Sequence, residues 1–320
     1  RSDAGLSPTR YQADSFPPEL RQKLKVIHDG IDTDTVRPNP QAELALPNGR
    51  VLRAGDEVLS YVSRSLEPYR GFHRFMRALP GVMQARPDAQ VVLVGGDGVS
   101  YGGKPKDAAT WKEKMLTELS GQLDLSRIHF LDRVPYPTYL ALLQVARVHC
   151  YLTYPFVLSW SLTEAMAAGC HIVASDTEPV REVIRDGENG RLVPFFDQPA
   201  LEAALIRALA GDPEAARMQE AARADMVRGY DLNRVCLPRL IEAVRGELAA
   251  GNGLGIDENT LVTFAADGRC TVAGAGQVWL VHRAGSPDGT GSDVQVRPFR
   301  AGARISDHRQ SVRIIEDRKS

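Results

Sequence analysis

The stretch RVHCYLTYPFVLSWSLTEAMAAGCHIVAS, residues 147–175, places two apolar runs of strand length, 147–153 and 171–175, on either side of a short helical segment, 161–168. Neither run alternates regularly with polar residues, so both faces of each strand are buried, the condition of a parallel sheet covered by helices on each side. The same rhythm extends outward. KVIHD (25–29), EVLSYVS (57–63), QVVLVGG (90–96) and RIHFLD (127–132) read as further strands, and 71–86, 108–123, 136–146, 179–185 and 198–210 as helices between them. In the last of these, Leu201, Leu205 and Leu209 recur at spacing four and mark one buried face. This alternation over residues 24–250 predicts the α/β class, with a Rossmann-like doubly wound parallel sheet. Such sheets bind ligands outside the carboxyl ends of their strands, which directs attention to the loops after residues 29, 63, 96, 132 and 153.

Composition narrows the partners. The chain has 320 residues, 43% hydrophobic and 25% charged, with 39 Lys+Arg against 40 Asp+Glu and a net charge of -1. No global field therefore argues for nucleic acid or an anionic membrane surface. Cys150, Cys170, Cys236 and Cys270 are far apart and form no CxxC pair, so neither a zinc site nor a disulfide framework is indicated and a reducing compartment is expected. No apolar run approaches the roughly 20 residues that span a bilayer, and no signal peptide is visible. The opening RSDAGLSPTRYQ starts at Arg1 rather than Met and reads as a fragment or a processed piece.

After about residue 250 the texture changes. The stretch 251–293 is rich in Gly, with two short β runs, TLVTFA and QVWLVH, around turn signals at Asp267-Gly268 and Gly274, and 284–293 reads as a flexible loop. Residues 251–320 are expected to be a separate β-rich appendage.

Four places could carry chemistry. Ser161 and Glu164 form S-x-x-E at a helix start, a capping box in which Glu164 satisfies its own helix cap. The functional alternative is that the positive helix end attracts a phosphate while the carboxylate accepts hydrogen bonds from ribose hydroxyls. In SRSLEPYRG (63–71), Arg64 and Arg70 flank a Pro-containing turn where guanidinium groups can clamp a diphosphate and neutralise a leaving group. The alternative is two solvated arginines paired with Glu67. In VGGDG (94–98), Gly96 and Gly98 lack a third glycine at 101, so the segment reads as a tight turn that would also let a ligand approach the backbone. In IHDGID (27–32), His28 reads as structural, beside an Asp29-Gly30 turn in which Gly30 supplies positive φ. The SDH at 306–308 is three neighbours in a tail and not a triad, and no metal cluster is visible.

VIHDGIDTDTVRP, YVSRSLEPYRGFHRFMRALP, VVLVGGDG, IHFLDRVPYPTYLALLQVARVHCYLTYP and TEAMAAGCHIVASDTEPVREVIRDGENGRLV follow one another in an order that resembles the donor-binding half of GT-B retaining glycosyltransferases of family 4 (group 1), over roughly residues 5–245. The resemblance implies transfer of a sugar from a nucleotide-diphosphate donor, with retention at the anomeric centre, without metal or other cofactor, to a glycan or lipid-linked acceptor. It implies that Arg64 and, with one extra residue of spacing and Arg for Lys, Arg70 contact the diphosphate. Of the family's paired glutamates, the one touching the ribose matches Glu164. The other is absent: Phe156 stands eight residues before Glu164, and VLS replaces the usual glycines after it. Backbone groups at Ser159, Trp160 and Ser161 are expected at the phosphates, Arg133 and Val134 at the base.

In this family the acceptor sits in an N-terminal domain, of which residues 1–24 read as a remnant before a nucleotide-sugar domain over 25–250. A separate chain would then supply the acceptor domain, this chain alone would bind donor weakly, and the helix near 229–246 would have little to pack on. Cytoplasmic location, peripheral to the inner face of a membrane, is the family expectation. The tail, 253–281, is similar to the C-terminal β region of cyanophycinase-like (S51) serine peptidases and implies a fusion. Two rivals to the transferase follow: a non-catalytic nucleotide-binding module, suggested by Phe156, and a peptidase-related chain, suggested by the tail.

Overall fold

The computed structural model describes residues 5–248, apart from Asp212, and the strands between Gly253 and Ile315; beyond Ala243, and at Pro213, only the backbone is described. The chain divides into two compact units, Arg1–Pro238 and Arg239–Ser320.

The first unit opens with β1 (Gly5–Ser7), the short helices α1 (Arg10–Asp14) and α2 (Pro18–Arg21), and β2 (Leu24–Val26), which pairs in parallel with β1. An antiparallel hairpin of β3 (Glu43–Ala45) and β4 (Val51–Arg53) follows. The main sheet then winds through β5 (Val58–Ser65), α3 (Phe72–Ala85), β6 (Gln90–Gly96), α4 (Trp111–Glu118), β7 (Ile128–Leu131), α5 (Tyr136–Val145) and β8 (Val148–Tyr151). It continues through α6 (Trp160–Ala168), β9 (His171–Ser175), α7 (Glu178–Arg181), β10 (Arg191–Val193), α8 (Gln198–Ala210) and α9 (Pro213–Asp225). The six strands are parallel and lie in the order β10-β9-β8-β5-β6-β7. The order reverses between β5 and β8, so the crevice of this doubly wound sheet opens at their carboxyl ends.

Period-2 alternation splits the strands between two cores. Leu59, Tyr61, Val91, Leu93, Val148, Cys150 and Val173 face α3 and α8, where Phe72, Phe75, Leu79, Leu201, Leu205 and Leu209 complete one cluster. Val58, Val92, Val94, Tyr151, Ile172 and Ala174 face the other side, against Leu142 and Leu143 of α5, Leu162 and Met166 of α6 and Ala222 of α9. Each fully buried Leu, Val or Phe contributes about 1.5–3 kcal/mol. Strands with an apolar side chain on both faces are therefore stable only when both faces are covered.

Several expectations are corrected. KVIHD does not join the main sheet: the strand stops at Val26 and pairs with β1, because His28 turns to accept a hydrogen bond from Gly30 N at 3.0 Å and Gly30 takes φ 91°. The loop after residue 29 is thus not at a strand end of the main sheet. The β3–β4 hairpin and β10, three residues each, are too short to show periodicity, although Asn48-Gly49, with Gly49 at φ 84°, is a hairpin signal. The helix expected at 179–185 is the four-residue α7, and that at 108–123 contracts to α4. The segment after Gly229 has a partner: Asp231 is fully buried and accepts from Thr33 Oγ1 and from Arg234 Nη1 at 2.9 Å, while the Ile31 N–H donates to Tyr230 O and the Leu232 N–H to Ile31 O, both at 2.8 Å.

In the second unit, α10 (Leu237–Leu248) enters from the first, and β11 (Gly253–Ile256), β14 (Gln277–Gly285) and β15 (Ser292–Arg300) form one antiparallel sheet. A second is made by β12 (Thr260–Phe264), β13 (Arg269–Gly274), β16 (Arg304–His308) and β17 (Ser311–Ile315). TLVTFA and QVWLVH fall in two of these seven strands. Within the expected flexible loop, Ala284 and Gly285 pair with Asp293 and Ser292, while 286–291 lie outside the described residues.

Candidate functional site

β5 ends in an irregularity. Its pairing with β6 shifts register between Val62 and Ser65, so Ser63 and Arg64 bulge at the carboxyl end and Arg64 is turned out to solvent. The chain then makes a 3-10 turn, Pro68–Arg70, closed by Gly71 at φ 70°. A Cβ on Gly71 would lie 2.4 Å from Leu152 Cβ, so only glycine lets this turn pack against the end of β8. Neither arginine pairs with Glu67. That carboxylate is fully buried and its Oε2 accepts the backbone N–H groups of Ser100, Tyr101 and Gly102 at 3.1, 3.2 and 2.9 Å. Arg70 instead donates weakly to Thr153 Oγ1 at 3.4 Å. Arg64, Arg70 and Arg133 form no ion pair among the described residues, whereas Arg77, Arg86, Arg181 and Arg185 each do.

The helix at the crevice, α6, begins earlier than the capping box predicts. Its N-cap is Ser159, whose hydroxyl accepts the N–H of Ser161, while the N–H of Ser159 donates to the Tyr151 phenol at 3.0 Å. Among these three residues the Trp160 N–H has no partner in the described structure. Ser161 is buried, and the exposed Trp160 donates its indole N–H to Asp29 Oδ2 at 3.2 Å. Glu164 therefore lies past the first turn and does not cap its helix. Its carboxylate accepts from the Tyr136 phenol at 3.0 Å and the Tyr139 phenol at 2.7 Å. Burial raises the Glu164 pKa above the ordinary carboxyl value, and the two phenol hydrogen bonds pull it back. Burial and the carboxylate together push Tyr136 up to about 12 and Tyr139 well above its usual value. The pair thus stays neutral and donating while Glu164 is ionised.

A cavity of about 510 Å³ opens at the ends of β5, β6 and β7, lined by Ser63, Arg64, Val94, Gly95, Arg133, Val134 and Tyr139. It brings Arg64 together with Arg133 and Val134 directly, and with Glu164 through Tyr139. Arg70 does not line it. Its guanidinium sits beside the start of α6, near enough to Tyr151 to oppose the rise that burial gives that phenol. Gly96 ends β6 against Asp132 and Arg133, and Gly98 is exposed with nothing near a Cβ. Neither adopts positive φ, and the chain bends at Asp97 and Gly98 as it leaves β6. The glycine that matters is Gly95, whose Cβ would come within 2.7 Å of Ser63 O. His28 is buried, its pKa lowered by burial, and it packs edge-on against Tyr230 at 5.2 Å, in keeping with a structural part.

Sequence reasoning missed Tyr136 and Tyr139, Tyr151, Thr153 and Glu67. The i,i+3 tyrosines in PYPTYL were a readable sign, because that spacing puts both phenols on one helix face. Nothing in the sequence signalled that Glu67 turns inward.

A family model for glycosyl transferases group 1 matches residues 48–225, and one for the glycosyl transferase family 4 group matches residues 1–36. The chain is 36% identical over 225 residues to a phosphatidyl-myo-inositol mannosyltransferase of Mycobacterium leprae, covering 68% of this chain and 53% of that protein. It is 26% identical over 236 residues to a D-inositol 3-phosphate glycosyltransferase of Streptomyces coelicolor, covering 69% and 50%. It spans about half the length of these curated relatives. Among solved structures, sucrose-phosphate synthase of Thermosynechococcus elongatus superposes with a TM-score of 0.62 at 22% identity, covering 78% of this chain and 60% of that one. HepE of Anabaena in complex with UDP-glucose does so at 0.60 and 18%, covering 78% and 64%. These two likenesses concern the fold alone. With more than half its length inside the group 1 match, the chain belongs to the group 1 glycosyltransferase family.

Proposed function

We propose that the crevice between β5 and β8 binds a nucleotide-diphosphate sugar and that this chain is the donor-binding part of a glycosyltransferase. The observation that carries the reading is the placing of Arg64 and Arg70, without carboxylate partners, on either side of the turn at the sheet's switch point. Charge develops on a diphosphate as it leaves the sugar, and guanidinium groups fixed there stabilise that charge more in the transition state than in the ground state. The N-terminal end of α6 at Ser159, Trp160 and Ser161 adds a backbone donor and the helix dipole. Glu164, held by Tyr136 and Tyr139, accepts from the ribose hydroxyls, and the base lies in the cavity against Arg133 and Val134, where Gly95 rather than Gly96 lines the wall.

The transfer proceeds with retention, to a glycan or lipid-linked acceptor at the inner face of a membrane, and both statements are part of the same proposal. HepE's complex with UDP supports a uridine nucleotide as the first probe. Phe156, in place of a carboxylate, favours a second reading, a module that binds nucleotide without transfer. A peptidase-related chain rests on 253–281 alone. Thermal unfolding with UDP, GDP and ADP tests the reading. At about 100 times Kd, the right nucleotide raises Tm by about 5–10 °C. No shift with any of the three counts against it, and binding without sugar release from the matching donor favours the second reading.

A further inference from the structure

The sequence stretch after β6 supplies a side chain to Arg70 that no motif announces. Tyr101 and Phe156, 55 positions apart, bring their rings to a centroid separation of 4.6 Å at 54°. The Arg70 guanidinium carbon lies 5.4 Å from each centroid. With these three separations both rings lie on one side of the cation, which sits over each of them within the reach at which an aromatic face attracts a guanidinium. The arrangement is built from below. Glu67, fully buried three residues before Arg70, takes the three N–H groups of residues 100–102 on one carboxylate oxygen, and Ser65 Oγ meets Ser100 Oγ at 2.8 Å. The turn that carries Arg70 therefore also fixes the loop that carries Tyr101. Thr153 Oγ1 holds one guanidinium nitrogen from the end of β8.

We propose that Tyr101 and Phe156 are positioning residues: their π faces hold the Arg70 guanidinium from one side, in place of a carboxylate, so that the N–H groups Thr153 does not engage remain for a diphosphate beside the start of α6. The inference rests on the nucleotide-binding reading above. A carboxylate at position 156 would hold the same cation but would neutralise it, whereas two π faces orient the charge and leave it whole.

Calorimetric titration of whichever of UDP, GDP and ADP binds the intact chain tests this in five variants, each first shown to keep the wild-type Tm within a few degrees. Phe156→Leu and Tyr101→Leu keep apolar bulk and remove the ring; each weakens binding by about three- to tenfold. Phe156→Trp keeps a π face and keeps affinity. In an Arg70→Gln background, Phe156→Leu has no further effect, because the ring acts only through the guanidinium. Unchanged affinity in both Leu variants overturns the proposal, and so does the same loss with Arg70 already removed. If the wild type binds no nucleotide, the functional reading itself fails and this inference falls with it, an outcome distinct from a wild type that binds as tightly as its variants.

Discussion

Glu164 is oriented before any ligand arrives, since two phenols already occupy part of its acceptor capacity and burial holds its pKa above the ordinary value. Ribose hydroxyls need the ionised form as acceptor. The sign follows from the direction of the shift. A carboxyl with a raised pKa begins to protonate above about pH 4.5, so nucleotide affinity in the wild type falls as pH drops toward that value. The nucleotide's own phosphate titrates in the same range, which makes the difference between wild type and Glu164→Gln the informative quantity. We expect affinity ratios measured by calorimetry at pH 7.5 and 5.0 to narrow on acidification, because Gln cannot change charge. A ratio that stays constant would leave Glu164 outside the site. Removing one phenol, Tyr139→Phe, weakens binding at pH 7.5 by about three- to tenfold if orientation matters.

At the scale of elements, the strand-to-helix joint after β5 depends on Gly71. Alanine there meets both a left-handed φ of 70° and Leu152 Cβ at 2.4 Å, so Gly71→Ala costs about 2–4 kcal/mol, read as a lowered urea midpoint at unchanged slope. Ser159→Ala removes the α6 cap and costs about 1 kcal/mol by the same measurement. Legibility differed between elements for physical reasons. QVVLVGG, HIVAS and the helix with Leu201, Leu205 and Leu209 were read with their bounds, because strands buried on both faces and a helix with one apolar face leave strong periodic signals. The three-residue strands β3, β4 and β10 carry too few residues for any period to show. Arg64, Arg70 and Glu164 were found as residues, yet what holds them was hidden. Glu67 looked like a surface partner for the arginines, and only tertiary structure shows it buried under residues 100–102. The capping-box spacing placed the helix start two residues late, since Ser159 competes for the same role and is the residue next to the Tyr151 phenol.

For the whole molecule, several histidines are held neutral by burial. His149 on β8 pairs with Ser60 Oγ at 2.9 Å and its pKa falls to about 3, and His73 on α3 falls to about 4. His28 and His129 are lowered as well. The unfolded chain takes up these protons near pH 6.5 and the folded chain does not. Their contribution is therefore complete above pH 6.5 and is lost as pH falls below it, by about 1.4 kcal/mol per pH unit for His149 down to about pH 3 and for His73 down to about pH 4. Urea midpoints at pH 7.5, 6.0 and 5.0 should fall in that order, and a flat series would contradict the buried neutral assignment. The central claim concerns the crevice of the parallel sheet, and it is tested most directly by calorimetric titration of UDP, GDP and ADP into the wild type, Arg64→Ala and Glu164→Ala. The account predicts that one nucleotide binds and that each substitution weakens it at least tenfold, about 1.4 kcal/mol. A folded wild type that binds none of them, or that binds one with affinity indifferent to both substitutions, would contradict it.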